Sequence, residues 1–311
     1  MQLLTVVCLL STFLTDVVLG ADSSNWGYDR ANGPQTWKGE CDVGGRQSPI
    51  DIRLSEVDYA LIHRVHLLHY DFSGPVEMTN NGRTLVMTGF DKWDGGRKQP
   101  IMRGGGLKHT YRLIQLHLHW GHSHGHGSEH TLNGLSYPAE LHLVHVREGL
   151  DVGKASNVKD GLAVLGVWFV EGENDSNFAQ ISDNLHYLLF DGNRTSLDKF
   201  YPRRLLPERT ASFYRYEGSL TTPGCNEAVI WTILADPLIV SSEQLHRLRG
   251  LRDRSGGPLH GNYRPVQPLN GRTILFRPYE FDRKLLCSSS ASILSFISIT
   301  AILVISVFQN S

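Results

Sequence analysis

The segment Gln115-Leu116-His117-Leu118-His119-Trp120 sets two histidines two positions apart inside an apolar run. In a β-strand alternate side chains share a face. Gln115, His117 and His119 then point one way, and Leu116, Leu118 and Trp120 the other. Two imidazoles on one strand face, about 7 Å apart at Cα, can converge on one ion. The segment Ala139-Glu140-Leu141-His142-Leu143-Val144-His145 repeats the alternation: Glu140, His142 and Val144 share a face and His145 points away. If the two strands are neighbours, His142 supplies a third nitrogen. Three neutral imidazoles with an open fourth position form the donor set of a catalytic zinc site, not of a closed structural one. Gln115 and Glu140 each precede a proposed ligand by two residues on its own face, where each could orient an imidazole. The competing reading is a half-exposed polar strand face, and on residue chemistry alone the two readings balance.

Both segments need a β-rich frame, and the chain supplies its pattern. Short apolar runs occupy 84–87, 111–120, 139–146, 162–170 and 229–234, punctuated by clusters such as Asn80-Asn81-Gly82 and Gly104-Gly105-Gly106. Helical signals are few; 177–188 and 241–251 carry them, with Ser241 and Gln244 placed to cap the second. No internal repeat, low-complexity linker or charge block interrupts Asn25 to Arg283, which argues for one domain. Of 311 residues, 41% are hydrophobic and 20% charged, with a formal net charge of −1 and no long basic run. Nucleic acid is therefore not an expected partner. The fifteen histidines are the unusual count, since histidine is the commonest metal ligand and the usual proton carrier near neutral pH.

The two ends read as processing signals. Within residues 1–20 an apolar run spans 3–14, and Val18 and Gly20 suit cleavage before Ala21. No Lys or Arg precedes that run. A buried N-terminal helix is the alternative, but the abrupt polar turn at Asp22-Ser23-Ser24-Asn25 favours a signal peptide. At the other end Ser288-Ser289-Ser290-Ala291-Ser292 leads into an apolar tail of 16 residues, 293–308, with no Lys or Arg after it. That is short of the roughly 20 residues of a comfortable span. Small residues before a terminal apolar tail match a GPI-attachment signal over 285–311, with attachment at Ser288, Ser289 or Ser290. The spacer is shorter than the roughly 8–12 residues expected, and a single membrane span is the alternative. The remaining domain is 21–284. A secreted route permits disulfides. Cys8 leaves with the signal and Cys287 abuts the anchor, so Cys41 and Cys225 are the expected pair, against two free thiols. Asn174-Asp175-Ser176 and Asn193-Arg194-Thr195 are glycosylation acceptors.

Several motifs carry a resemblance. Gln115 to Gly121 and Glu140 to His145 resemble the paired zinc strands of α-class carbonic anhydrases. Trp26-Gly27-Tyr28, Asn32-Gly33-Pro34, Gln47-Ser48-Pro49-Ile50-Asp51-Ile52 and Gly127-Ser128-Glu129-His130-Thr131 are similar to that family too. So are Gly218-Ser219-Leu220-Thr221-Thr222-Pro223 and Asn262-Tyr263-Arg264-Pro265-Val266-Gln267-Pro268-Leu269. The likeness runs from Trp26 to Arg277 in one order and at family spacing. The anchor signal and the Cys41/Cys225 pair resemble the GPI-anchored extracellular branch. The resemblance implies a mixed, β-dominated α+β domain around a large central, mainly antiparallel twisted sheet with short peripheral helices. It implies reversible hydration of CO₂ to bicarbonate by Zn²⁺ on His117, His119 and His142. Gln115, Glu140 and the Asn262 backbone carbonyl would hold those ligands. Thr221 would accept a hydrogen bond from the attacking hydroxide and pass its own proton toward Glu129, with Thr222 beside it. Val144, Val164, Leu220 and Trp231 resemble the apolar CO₂ pocket. Tyr28 and Asn81 resemble residues that order the cavity's water. His130, His145 and Tyr216 resemble a buried structural network.

One position departs from the pattern. In fast members the segment after Asn-Asn-Gly carries a proton-shuttling histidine; here Arg83 stands there. Arginine stays protonated, with a pKa above about 12, and cannot cycle a proton near neutrality. His122, His124 and His126 are the nearest abundance of imidazoles, but family topology puts their loop away from the cavity mouth. Expected partners are CO₂, bicarbonate, the membrane through a lipid anchor, and surface bicarbonate or proton transporters. The expected place is the outer face of the plasma membrane. A catalytically weak cell-surface binding module on the same fold is the alternative. A peptide- or ester-cleaving zinc hydrolase would need the His-Glu-x-x-His helix that the chain lacks.

Overall fold

In the computed structural model, residues 26–173 and 176–279 are described. The expected signal peptide (1–20), the anchor signal (285–311) with Ser288, Ser289 and Ser290, and the Asn174 acceptor lie outside them.

The apolar runs become strands because β-branched and aromatic residues fit a pleated surface, and 162–169 and 229–234 are buried on both faces. The first six strands are β1 (Asp51–Ile52), β2 (Val57–Tyr59), β3 (Val65–Leu68), β4 (Gly74–Asn80), β5 (Leu85–Thr88) and β6 (Ile101–Gly104). Next come β7 (Tyr111–Trp120), β8 (Thr131–Leu132), β9 (Ala139–Arg147), β10 (Leu162–Glu171) and β11 (Arg194–Phe200). The last are β12 (Phe213–Gly218), β13 (Val229–Leu234), β14 (Leu238–Val240) and β15 (Ile274–Arg277). The main path through the large sheet runs β11-β4-β5-β7-β9-β10-β13-β12-β15-β2. Most neighbours are antiparallel; β10 with β13, β10 with β14 and β15 with β2 are parallel.

Two apolar layers cover the sheet. Leu116, Leu118 and Trp120 enter the larger, and Val144, Val164, Leu220 and Trp231 the smaller. The alternation of β7 thus puts its leucines in one core and leaves its histidines for the other face.

Helices are short, as expected. Among the described residues Ser242–Arg249 is the longest, and Ser241 and Gln244 close a reciprocal capping box at its start. The other helical signal resolves into two single turns, Ala179–Ser182 and Leu185–Tyr187. Asp183 and Asn184 interrupt it, residue types whose side chains compete for backbone groups; the Asn184 side chain donates to the Gln180 carbonyl at 3.1 Å. Cys41 and Cys225 form a disulfide across 184 residues of sequence.

Candidate metal centre

Strands β7 and β9 pair antiparallel, with His117 opposite His142 and His119 opposite Glu140. That register supplies the third nitrogen. The three rings lie 4.6–5.2 Å apart between centroids. One nitrogen from each falls within 4.8 Å of the others. All three side chains are buried.

The outer nitrogen of each ring is committed. His117 Nδ1 donates to Gln115 Oε1 at 3.0 Å, His119 Nδ1 to the Asn262 carbonyl at 2.7 Å, and His142 Nε2 to Glu140 Oε1 at 2.8 Å. Neutral imidazole carries one N–H, so the inner nitrogens present lone pairs. His119 Nε2 and His142 Nδ1 face each other at 3.1 Å. Two facing lone pairs repel unless a cation lies between them. Burial pushes all three histidines below their ordinary range, His119 to about 3, and neighbouring imidazoles push His117 and His119 further. The set is neutral, convergent and matched to zinc.

Glu140 is the most engaged partner. Its Oε1 accepts from His142 and from His130 Nδ1 at 2.7 Å, and its Oε2 accepts the amides of Glu129 and His130 at 2.9 and 2.8 Å. Burial alone would raise its pKa, but His130 and His142 bring it well below the carboxylate range. His130 Nε2 meets Tyr216 Oη at 2.7 Å, and Tyr216 lies 2.9 Å from Ser48 Oγ. His145 does not join this network. It sits on the other face of β9, its Nε2 2.6 Å from Tyr70 Oη and its Nδ1 donating to the Ala163 carbonyl at 3.2 Å.

Glu129 is fully enclosed and lies 3.5 Å from His119 Nδ1. Its Oε1 accepts the Arg264 amide at 2.8 Å. Burial raises its pKa, against the Arg264 amide and the Thr221 side chain, which favour the ionised form. Glu129 Oε2 is buried with no hydrogen-bond partner among the described residues. Thr221 and Thr222 are both buried. Val164 pairs with Val144 on one side and Trp231 on the other, so three of the four expected pocket residues form one row across β9, β10 and β13. Trp231 lies 4.7 Å from His142 between ring centroids, and its indole N–H donates to the Ser219 carbonyl at 3.0 Å.

Arg83 folds back on the N-terminal segment. Its Nε donates to the Trp26 carbonyl at 2.8 Å, and its guanidinium lies 4.4 Å from the Trp26 ring centroid. Arg83, Tyr28 and Asn262 border one cavity of about 390 Å³. Asn81 turns its Oδ1 to the amides of Arg83 and Thr84. The His122–His126 loop meets the wall of that cavity at one end: His122 lies 5.7 Å from His260 between ring centroids, and His260 borders the same cavity as Arg83, while His124 contacts Glu171. Asn193 sits in the turn before β11, its Oδ1 taking the Phe190 amide at 3.0 Å.

Sequence reasoning missed two supports. The Arg264 amide fixes Glu129 from within the motif of residues 262–269, and the sequence of that motif does not show it. Gly166 faces His142 across β9 and β10, and a Cβ there would lie 3.2 Å from Glu140 Oε1. No local signal marks that glycine.

Comparison with known proteins agrees with this centre. The eukaryotic-type carbonic anhydrase family matches residues 32–278. A putative carbonic anhydrase 5 of Caenorhabditis elegans is 53% identical over 304 residues, covering 96% of this chain and 97% of that protein. Carbonic anhydrase 1 of Mus musculus is 37% identical, covering 81% of this chain and 98% of that protein. Carbonic anhydrase 3 of Rattus norvegicus is 36% identical over the same shares. A match over most of the chain, which includes the strands that carry the three histidines, makes this chain a member of the eukaryotic-type carbonic anhydrase family.

Proposed function

We propose that this carbonic anhydrase hydrates CO₂ at the outer cell surface, with its proton export slowed by Arg83. The observation that carries the catalytic part is the convergence of three buried imidazole lone pairs beside Thr221, Glu129 and an apolar row. Zinc held there lowers the pKa of a coordinated water to about 7 and so supplies hydroxide at neutral pH. The protein then has three tasks. Gln115, Glu140 and Asn262 keep each imidazole in its metal-binding tautomer. Thr221 would donate its proton toward Glu129 and would accept a hydrogen bond from the water or hydroxide that zinc supplies, so that a lone pair faces the substrate. Val144, Val164, Leu220 and Trp231 hold CO₂, which has no net charge and needs no ionic partner.

The surface location rests on the end signals and is supported by the Cys41–Cys225 bond, which suits an oxidising compartment. A GPI anchor predicts release from cells by a phosphatidylinositol-specific phospholipase. Protein that stays on the membrane with residues 293–308 still attached would favour a span instead. Bicarbonate or proton transporters on the same surface are the partners its products would serve.

A non-catalytic binding module is the second reading, disfavoured because all three histidines, Thr221 and Glu129 are present. Stopped-flow CO₂ hydration with a zinc determination separates the two. His142→Ala should lose most zinc and hydration, whereas His145→Ala should weaken folding more than zinc affinity. Full zinc content and near-normal hydration in His142→Ala would sink the ligand assignment.

A further inference from the structure

Strand β12 alternates between two environments. Tyr214 and Tyr216 belong to the apolar layer around the metal centre, and Arg215 points to the opposite face. There it borders a cavity of about 620 Å³ that CO₂ hydration does not use. Arg215 is only 6% exposed. Its Nε donates to Thr232 Oγ1 at 3.1 Å and its Nη1 to the Gly105 carbonyl at 2.7 Å, while the buried Nη2 has no hydrogen-bond partner. Among the described residues no carboxylate forms an ion pair with it. A buried guanidinium with an unfilled donor and no counter-ion is costly, and an anion would offset that cost. Burial brings its pKa to about 10, so it remains charged at neutral pH.

The surrounding charge favours the same ligand. Arg46, Lys108 and Arg272 also border the cavity, against Glu217 and Asp160. Glu217 is already taken by Arg46 and Lys159. Arg272 donates only to backbone carbonyls, of Leu269, Glu217, Gln47 and Pro268. Gly106 leaves an approach to the Nη1 side of the guanidinium, the nitrogen that also donates to Gly105: a Cβ built there would have Arg215 Nη1 as its nearest neighbour, at 3.7 Å. The rest of the wall is apolar, from Ile62, Ile230 and Leu275. An inorganic anion would leave most of this volume and all of that apolar surface unused.

We propose that this cavity is a second binding site, for a small organic monocarboxylate, with the carboxylate on Arg215 and the apolar body against Ile62, Ile230 and Leu275. Arginine suits this task because its planar donors match a carboxylate.

Benzoate is the probe, with benzyl alcohol as its uncharged counterpart. Zinc-loaded protein is titrated while the methyl signals of Ile62, Ile230 and Leu275 are followed by NMR and CO₂ hydration is assayed in parallel. Benzoate should bind saturably and shift those methyls, with hydration unaffected, and benzyl alcohol should not. Arg215→Met should weaken benzoate about 10–100-fold, the range of a charge-assisted hydrogen bond. Should that variant fail to fold, Ile62→Glu, at a half-buried position, sets a negative charge on the wall and should weaken benzoate as much. The proposal is overturned by absence of saturable binding, by equal affinity in Ile62→Glu, or by shifts at Val144, Val164 and Leu220 with loss of hydration. That last result would put benzoate at the metal centre.

Discussion

At the scale of single residues, a histidine is made a ligand by what its outer nitrogen does. Here three different acceptors serve: a carboxamide on Gln115, a backbone carbonyl on Asn262 and a carboxylate on Glu140. They differ in what else depends on them. Among the described residues the Gln115 side chain bonds His117 alone in the metal centre, so Gln115→Ala should lower zinc affinity about 10–100-fold, read by chelator competition, with less loss of stability than Glu140→Ala. Glu140 also accepts two amides and His130. Glu140→Ala should therefore cost both zinc affinity and denaturant midpoint. Arg83 tests the opposite end of the reaction. It cannot cycle a proton, yet it borders the cavity of Tyr28 and Asn262. Turnover at saturating CO₂ should rise with imidazole-like buffer, while the rate at low CO₂ stays flat. A general acid–base group contributes about 10²–10⁴-fold, part of which buffer replaces, so Arg83→His should raise turnover in dilute buffer by roughly 10-fold. Buffer-independent turnover and a silent Arg83→His would mean that another group carries the proton.

At the scale of elements, the centre is a matter of register. His117 meets His142 because β7 and β9 are paired in one register; a slip by one residue would turn one histidine set into the core. The alternation that sorts His117 and His119 from Leu116 and Leu118 was legible in the sequence, as were the β9 face with Glu140 and the capping box of Ser241. Which strands are neighbours was not, because pairing across β7, β9 and β10 is non-local; only the family resemblance supplied it. Gly166 shows the limit. Its lack of a side chain makes room for Glu140 from the adjacent strand and for Ile233 Cδ1, which a Cβ would meet at 2.6 Å. Gly166→Ala should cost roughly 1–3 kcal/mol by overpacking, with weakened zinc binding, because the methyl crowds the carboxylate that orients His142. Unchanged zinc affinity would show that Ile233 alone yields. The capping box gives a control: Ser241→Ala should cost about 1 kcal/mol and leave hydration intact.

At the scale of the whole molecule, one device ties a distant chain segment to the centre and a second, away from it, sets how stability depends on pH. The Cys41–Cys225 bond joins the N-terminal segment to the loop after Thr222, where the Cys225 amide donates to the Thr222 carbonyl at 2.9 Å. Replacing both cysteines by serine should cost about 2–5 kcal/mol and reduce turnover through a looser Thr221. The second device is buried neutral histidine. His145 touches no metal ligand site; burial brings its pKa to about 4, with the Ala163 and Leu143 backbone opposing the shift. The unfolded chain takes up a proton on this residue below about pH 6.5, the folded chain only near pH 4. In that window the unfolded state binds more protons, so stability is full above about pH 6.5 and falls as the pH drops. From His145 alone the loss by pH 5 should be about 2 kcal/mol. The three metal-binding histidines act in the same direction, more steeply with zinc bound, because the metal requires them neutral. Glu129 opposes them, since its raised pKa makes the folded state the better proton acceptor above the ordinary carboxylate range. His145→Gln removes one titrating group without touching the centre. Urea unfolding of zinc-loaded protein at pH 7 and pH 5 should show a smaller difference in His145→Gln than in the unsubstituted chain. Equal differences would mean that His145 does not stay neutral, and that the acid sensitivity belongs to the metal centre alone.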